Sequence, residues 1–201
     1  MHIGCDFYTQ HELQSFGFKH LGKNVKIKKN ACIYFVENVS IGDYSRIDDF
    51  SVIIANGDNC AIGSYVHIAS HCYIAAKYGY IMEDFSSLAP SVNIITGTDD
   101  YVGGSMTNAV VSSLNEHVTD VRGGLIHLEK HVIIGSGSVI LPDVKACIGS
   151  SVGANSLVKK SLDPWGVYFG SPAKKILSRP ANVMTKKEKQ FLDSLHCEYI
   201  H

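Results

Sequence analysis

Aliphatic residues recur every six positions along most of this chain, and few folds accept that period. Leu21, Ile27 and Ile33 make one triplet, and Ile41, Ile47 and Ile53 the next. Then come Ile62, Ile68 and Ile74, and Met82, Leu88 and Ile94. After a gap follow Leu128, Ile134 and Ile140, then Ile148 and Ala154. An amphipathic helix repeats at about 3.6 residues and a half-buried strand at about 2, so neither gives a step of six. A three-sided prism with six residues per side does. Its aliphatic side chains stack in columns inside, and its short strands pair in parallel from coil to coil. The fold class is therefore all-β, a parallel β-helix of hexapeptide repeats, with each triplet forming one coil. Gly follows the aliphatic residue in Ile41-Gly42, Ile62-Gly63, Ile134-Gly135 and Ile148-Gly149, where a corner must turn.

The irregular steps are also informative. Between triplets the spacing grows to eight or nine residues, always at the same corner of the prism. The long jump from Ile94 to Leu128 leaves from that corner too, so residues 95–127 are expected to project as an edge loop. Long loops on a regular scaffold commonly carry function. Thr9-Gln10-His11-Glu12 is a capping-box pattern that opens a short helix, expected to cover the end of the prism. Thr185-Lys186-Lys187-Glu188 is a second such pattern and is expected to start a C-terminal helix. The expected organisation is a capping segment over 1–20, the β-helix over 21–165 and a closing segment with a helix over 166–201.

Composition removes several function classes. The 201 residues suit one domain, and 45% hydrophobic residues can bury a core. A formal net charge of −1 offers no basic excess for nucleic acid or for an anionic membrane. No apolar run approaches the roughly 20 residues of a membrane helix, and the start lacks the apolar core of a signal peptide. A cytoplasmic location without membrane insertion is expected. The six cysteines form no CxxC pair and are expected to be free thiols, with Cys72 packing inside the repeat. No His/Cys set has metal-ligand spacing, so no metal is expected.

The ladder, the edge loop and a closing segment together resemble the hexapeptide-repeat acyltransferases, in the galactoside, maltose and xenobiotic acetyltransferase branch. The closing segment includes Val132-Ile133-Ile134-Gly135-Ser136-Gly137-Ser138-Val139-Ile140-Leu141-Pro142, then Val152-Gly153-Ala154-Asn155-Ser156-Leu157-Val158-Lys159-Lys160, then Gly170-Ser171-Pro172-Ala173-Lys174. The resemblance spans about residues 20–178. It implies a left-handed β-helix and a homotrimer with active sites between subunits. It also implies acetyl-CoA as co-substrate, lying in a groove between neighbouring prisms. Ser136 and Ala154 would line the pantetheine path, while Lys159, Lys160 and Lys174 would sit near the phosphates. Trp165, the only Trp, is expected to seal the last coil or to stack on adenine, sealing being favoured.

The chain departs from that branch at one instructive place. The galactoside and maltose enzymes have a His after the coil that precedes the edge loop, and it takes the proton from the acceptor hydroxyl. Here the segment reads Ile94-Ile95-Thr96-Gly97-Thr98-Asp99-Asp100-Tyr101, and Asp99 stands where that His is expected. A hydroxyl is a weak nucleophile that gains from a positioned base. An amine attacks a thioester through its unprotonated form and needs less help. Asp99 therefore tilts the reading toward an amino-sugar acceptor, with Asp100 as a candidate acceptor contact. Thr98-Asp99-Asp100-Tyr101, with the opening Phe7-Tyr8-Thr9…Glu12-Leu13, resembles enzymes of O-antigen or capsule sugar synthesis that acetylate a dTDP-linked 4-amino-4,6-dideoxy sugar. The expected function is N-acetylation of such a nucleotide sugar.

The alternative is O-acetylation of a sugar hydroxyl. It would need a catalytic His, most plainly His71, with His67 contacting the acceptor. A third reading is a non-catalytic hexapeptide-repeat trimer, which the acyl-CoA-type closing segment disfavours. No motif assigns His117, His127 or His131. Asp48 and Asp49, adjacent beside Ile47, point to opposite sides of a strand and read as corner residues.

Overall fold

The computed structural model describes residues 6–57 and 59–198. Three parallel sheets form the three sides of a prism. The first sheet stacks His20–Leu21, Val39–Ile41, Cys60–Ile62, Tyr80–Met82, Ile126–Leu128 and Lys145–Ala146. The second stacks Lys26–Ile27, Arg46–Ile47, His67–Ile68, Ser87–Leu88, Ile133–Ile134, Ser151–Val152 and Gly166–Phe169, and the antiparallel strand Lys174–Ser178 closes it. The third stacks Cys32–Tyr34, Val52–Ile54, Tyr73–Ala75, Asn93–Ile95, Val139–Ile140 and Leu157–Val158. The fold is a left-handed parallel β-helix.

The registers put the hexad residues in line. Leu21, Ile41, Ile62, Met82, Leu128 and Ala146 form one inner column. Ile27, Ile47, Ile68, Leu88, Ile134, Val152 and Tyr168 form the second. Ile33, Ile53, Ile74, Ile94, Ile140 and Val158 form the third. Except for Leu21 and Ile33 in the first coil, these side chains are buried. At the open end of that coil, helix α1 (Gln10–Ser15) brings the fully buried Leu13 into the core. Its capping box is complete, with Thr9 and Glu12 bonded to each other's backbone.

Two expectations are corrected. The last full coil carries Ala146, Val152 and Val158 inward, not Ile148 and Ala154. The steps from Ile140 through Val158 stay at six, because this coil has no corner insertion. Ile148 is only half-buried and Ala154 is exposed. Ile148-Gly149 imitates the ladder while the true inner residue, Ala146, is small. The C-terminal helix α3 begins at Ala181, directly after Pro180, and runs to Glu198. Thr185 lies inside it, its hydroxyl donating to the carbonyls of Ala181 (3.2 Å) and Asn182 (3.3 Å). The closing segment also continues the prism's own sheet through Gly166–Phe169 and Lys174–Ser178, up to the start of α3.

One corner between the first and second sheets is built from aromatic residues in left-handed backbone. Tyr44, Tyr65, Phe85, His131 and Trp165 all have φ between 57° and 62°. Left-handed backbone costs a non-glycine residue on the order of 1–2 kcal/mol. The rings offset this by stacking: Tyr44 on Tyr65 at 5.4 Å, Tyr65 on Phe85 at 4.8 Å and Phe85 on His131 at 5.4 Å. Each such pair contributes about 0.5–1.5 kcal/mol, which is comparable to the strain. Trp165 completes the column, its ring filling the space where a Gly149 side chain would stand. Sealing, the favoured reading of this Trp, agrees with that packing.

Helix α3 lies against this column. Phe191 meets Tyr65 edge-on at 5.3 Å, and Glu188 pairs with both Lys130 and His131, the latter at 2.7 Å. Burial by itself would raise Glu188, but its bonds from Lys130 and His131 outweigh that and hold its carboxyl below the ordinary value. Burial pushes the Cys72 thiol up to about 11 and Cys60 up to about 12, as packing residues should behave. Cys5 and the Cys197 side chain lie outside the described residues. Among the described helices, none is long and apolar enough to cross a membrane.

Candidate functional site

Inserted residues collect at the corner between the third and first sheets, and the long loop departs there after Ile95. Its stem is a two-stranded antiparallel ribbon, Gly97–Asp99 against Val121–Gly123, with Asp99 opposite Val121. Between the two arms the loop carries a short helix, α2 (Ala109–Leu114), capped by Asn108. Tyr78, on the preceding coil's corner insertion, holds the stem in place. Its ring lies across Gly97 and Gly123, so close that a Cβ on Gly123 would stand 2.0 Å from a ring carbon. Its hydroxyl donates to the Val121 carbonyl at 3.0 Å, and its backbone N–H donates to Thr96 Oγ1 at 3.0 Å. Thr96 is fully buried, and its own hydroxyl donates to the Ala75 carbonyl at 2.8 Å.

This arrangement frames a cavity of about 670 Å³ between the third sheet and the loop. Asn56, Tyr73, Lys77, Asp99, Ser112 and Ser113 are among its lining residues. Asp99, the first candidate base, thus faces a substrate-sized space. No hydrogen bond or ion pair to its carboxylate is found among the described residues, so both oxygens are available to a ligand.

Asp100 is adjacent but differently employed. Its carboxylate accepts from the backbone N–H groups of Val102 (3.0 Å) and Gly104 (2.8 Å), folding the loop's first turn. Those backbone bonds hold its carboxyl below the ordinary value. His71 is a corner residue with φ +62°, its ring 5.1 Å from Phe50, and it does not line the Asp99 cavity. His67 lies on the second sheet, where its Nε2 sits 2.8 Å from Asp48 Oδ2. Asp48 also accepts from Arg46 Nε at 2.6 Å, while Asp49 accepts from Asn30 at 3.1 Å. Both aspartates are corner residues, as the sequence suggested. His127 pairs with Glu83 at 2.7 Å.

The residues assigned to the acyl donor fall into two groups. Ser136 and Ala154 are exposed at the corner between the second and third sheets, on successive coils two residues beyond the paired Ile134 and Val152. Lys159, Lys160 and Lys174 converge on a separate cavity of about 260 Å³ floored by Val158, Leu162 and Ala173. The strand Leu157–Val158 delivers the first two lysines, and the closing strand Lys174–Ser178 delivers the third.

Lys77 and Tyr78 leave no mark in the sequence pattern. They sit in a two-residue corner insertion and break no hexad position, so the ladder does not flag them. Their place one coil before the loop's exit was the available signal.

No family model matches the chain. A search of characterised proteins finds the dTDP-4-amino-4,6-dideoxy-D-glucose acyltransferase of Escherichia coli, 38% identical over 173 residues, covering 86% of this chain and 88% of that one. The chain belongs to this acyltransferase family. Among solved structures, the N-acyltransferase AntD of Bacillus cereus, in complex with dTDP and 3-hydroxybutyryl-CoA, superposes with a TM-score of 0.87 at 35% identity. That match covers 96% of this chain and all of AntD. A serine-to-cysteine mutant of AntD, in complex with dTDP-4-amino-4,6-dideoxyglucose and coenzyme A, matches with a TM-score of 0.76 at 36% identity, covering 94% of this chain and 98% of the other. Like them, this acyltransferase is an enzyme, and its loop and closing segment belong to the shared fold rather than being additions to it.

Proposed function

We propose that this acyltransferase moves an acetyl group from acetyl-CoA to the amine of dTDP-4-amino-4,6-dideoxyglucose. The observation that carries the reading is the available Asp99 carboxylate at the loop stem, facing a cavity that neither His71 nor His67 lines. The relatives' dTDP-linked amino sugar and coenzyme A ligands support the acceptor and a CoA-borne acyl donor, and the acetyl group is taken from the resemblance of the closing segment. The amine's lone pair attacks the thioester carbonyl carbon and forms a C–N bond. The tetrahedral oxyanion then collapses, the C–S bond breaks, and coenzyme A departs as thiolate. Asp99 orients the ammonium form and accepts the proton that the nitrogen sheds; the departing thiolate is the proton's final acceptor.

Acetyl-CoA would lie past Ser136 and Ala154, with its phosphates at Lys159, Lys160 and Lys174. The enzyme would act as a cytoplasmic homotrimer, with active sites between neighbouring prisms, and its product would serve O-antigen or capsule synthesis.

The test is thiol release from acetyl-CoA with two acceptors side by side. One is dTDP-4-amino-4,6-dideoxyglucose, and the other is a galactoside offering only hydroxyls. Release with the amine alone, lost in Asp99→Asn and kept in His71→Ala, is the expected result. Release with the galactoside alone, or dependence on His71, would overturn it.

A further inference from the structure

We propose that Lys77 is the anchor for the acceptor's diphosphate, an assignment that rests on the nucleotide-sugar reading above. Among the described residues that line the Asp99 cavity, Lys77 is the one cationic side chain and Asp99 the one anionic side chain. They form no ion pair with each other, and no carboxylate partner of Lys77 is found among the described residues. The Lys77 ammonium sits 5.5 Å from the Tyr78 ring centroid. The cavity thus presents one charge of each sign, and the two are not joined as an ion pair.

A nucleotide-linked amino sugar has the same polarity. Its diphosphate is anionic, and its amine is cationic until it gives up a proton. A diphosphate at Lys77 places the sugar toward Asp99, in the orientation that acyl transfer requires. The amide product keeps the diphosphate but loses the ammonium charge, so it loses its attraction to Asp99 and keeps only its hold on Lys77. That asymmetry favours release after transfer.

The backbone under Lys77 is fixed from both sides. Tyr78 is bonded to Thr96, and the Gly79 N–H donates to the Ala76 carbonyl at 3.0 Å. On the preceding coil, Gly57 packs so closely that a Cβ there would stand 2.2 Å from the Lys77 carbonyl oxygen. A lysine on a fixed turn presents a point charge suited to phosphate oxygens. The lysines of the closing segment form their own cluster in a different cavity, which leaves Lys77 for the acceptor.

The experiment measures binding of dTDP, thymidine and coenzyme A by titration calorimetry to the full-length wild type, Lys77→Met and Lys77→Arg, alongside steady-state kinetics. Lys77→Met is expected to weaken dTDP about 10- to 100-fold, the range of a charge-assisted hydrogen bond. Thymidine and coenzyme A affinities are expected to stay within about twofold, and Lys77→Arg to restore most of the dTDP affinity. The kinetic loss is expected to fall on KM for the acceptor more than on kcat. If Lys77→Met binds dTDP like the wild type, or loses thymidine or coenzyme A equally, the assignment is wrong. A wild type that binds no dTDP would refute the nucleotide-sugar reading itself, and the anchor with it.

Discussion

Alanine at Gly123 would drive a methyl group into the Tyr78 ring. The added carbon would stand 2.0 Å from a ring atom, where ordinary contact begins at 3.4 Å. Either the ring or the strand Val121–Gly123 must therefore retreat by roughly 1.4 Å. Overpacking of this kind costs about 1–3 kcal/mol. The structure relieves it where resistance is least, in the two-stranded stem, because the prism behind Tyr78 is anchored on Thr96 and Ala75. Asp99 is paired with Val121 in that stem and moves with it. If the whole cost falls on the active arrangement, kcat/KM for the amine acceptor drops about 5- to 150-fold. The stem lies outside the three inner columns, so the melting temperature is expected to change by no more than a few degrees. Thiol release and a thermal melt on the same preparation measure both quantities. Adding Tyr78→Ala removes the clash, so the double variant should be no worse than Tyr78→Ala alone, a non-additivity expected only of residues in contact. Activity within twofold of wild type in Gly123→Ala, or strictly additive losses, would refute the role given to Tyr78.

Three further outcomes are expected. Ile68→Ala empties a fully buried site in the middle of an inner column, so it should destabilise the fold by about 2–5 kcal/mol in a denaturant titration. Replacing Lys159 and Lys160 together by alanine should raise KM for acetyl-CoA about tenfold while leaving dTDP binding unchanged, and the effect should shrink at high salt. The Glu188 carboxyl sits below its ordinary value of 4.5 in the folded state, so its contribution to holding α3 is present above that value. As pH falls through the lowered folded value that contribution is lost, and limited proteolysis of α3 should accelerate there; a Glu188→Gln variant showing the same pH dependence would disprove the coupling.

The prism was legible in the sequence because its interior admits few side chains. Each inner column needs an apolar group every coil, and three such positions at steps of six within each coil leave a strong imprint. The imprint fails where the interior narrows its demands. Ala146 is too small to stand out, and Ile148 beside Gly149 looked like the missing rung. Asp99 could be placed because it follows a regular coil at fixed distance. The ribbon could not, because Gly97 and Gly123 meet only through a loop whose length the repeat does not set. The ring that joins them, Tyr78, belongs to a neighbouring coil. Lys77 was hidden for the same reason: its relation to Asp99 is made by stacking, and a linear pattern does not express stacking.

The unequal corners also divide the molecule's tolerance for change. Along two edges the step from one inner column to the next stays at six residues in every coil. The third edge absorbs two residues, three or some thirty without disturbing the coils on either side. Sequence length is therefore free to vary at one margin only, which is the margin that carries Lys77, Tyr78 and Asp99. New acceptor preferences can be tried there by lengthening or shortening a single seam, while the corner that carries Ser136 and Ala154 keeps its six-residue step.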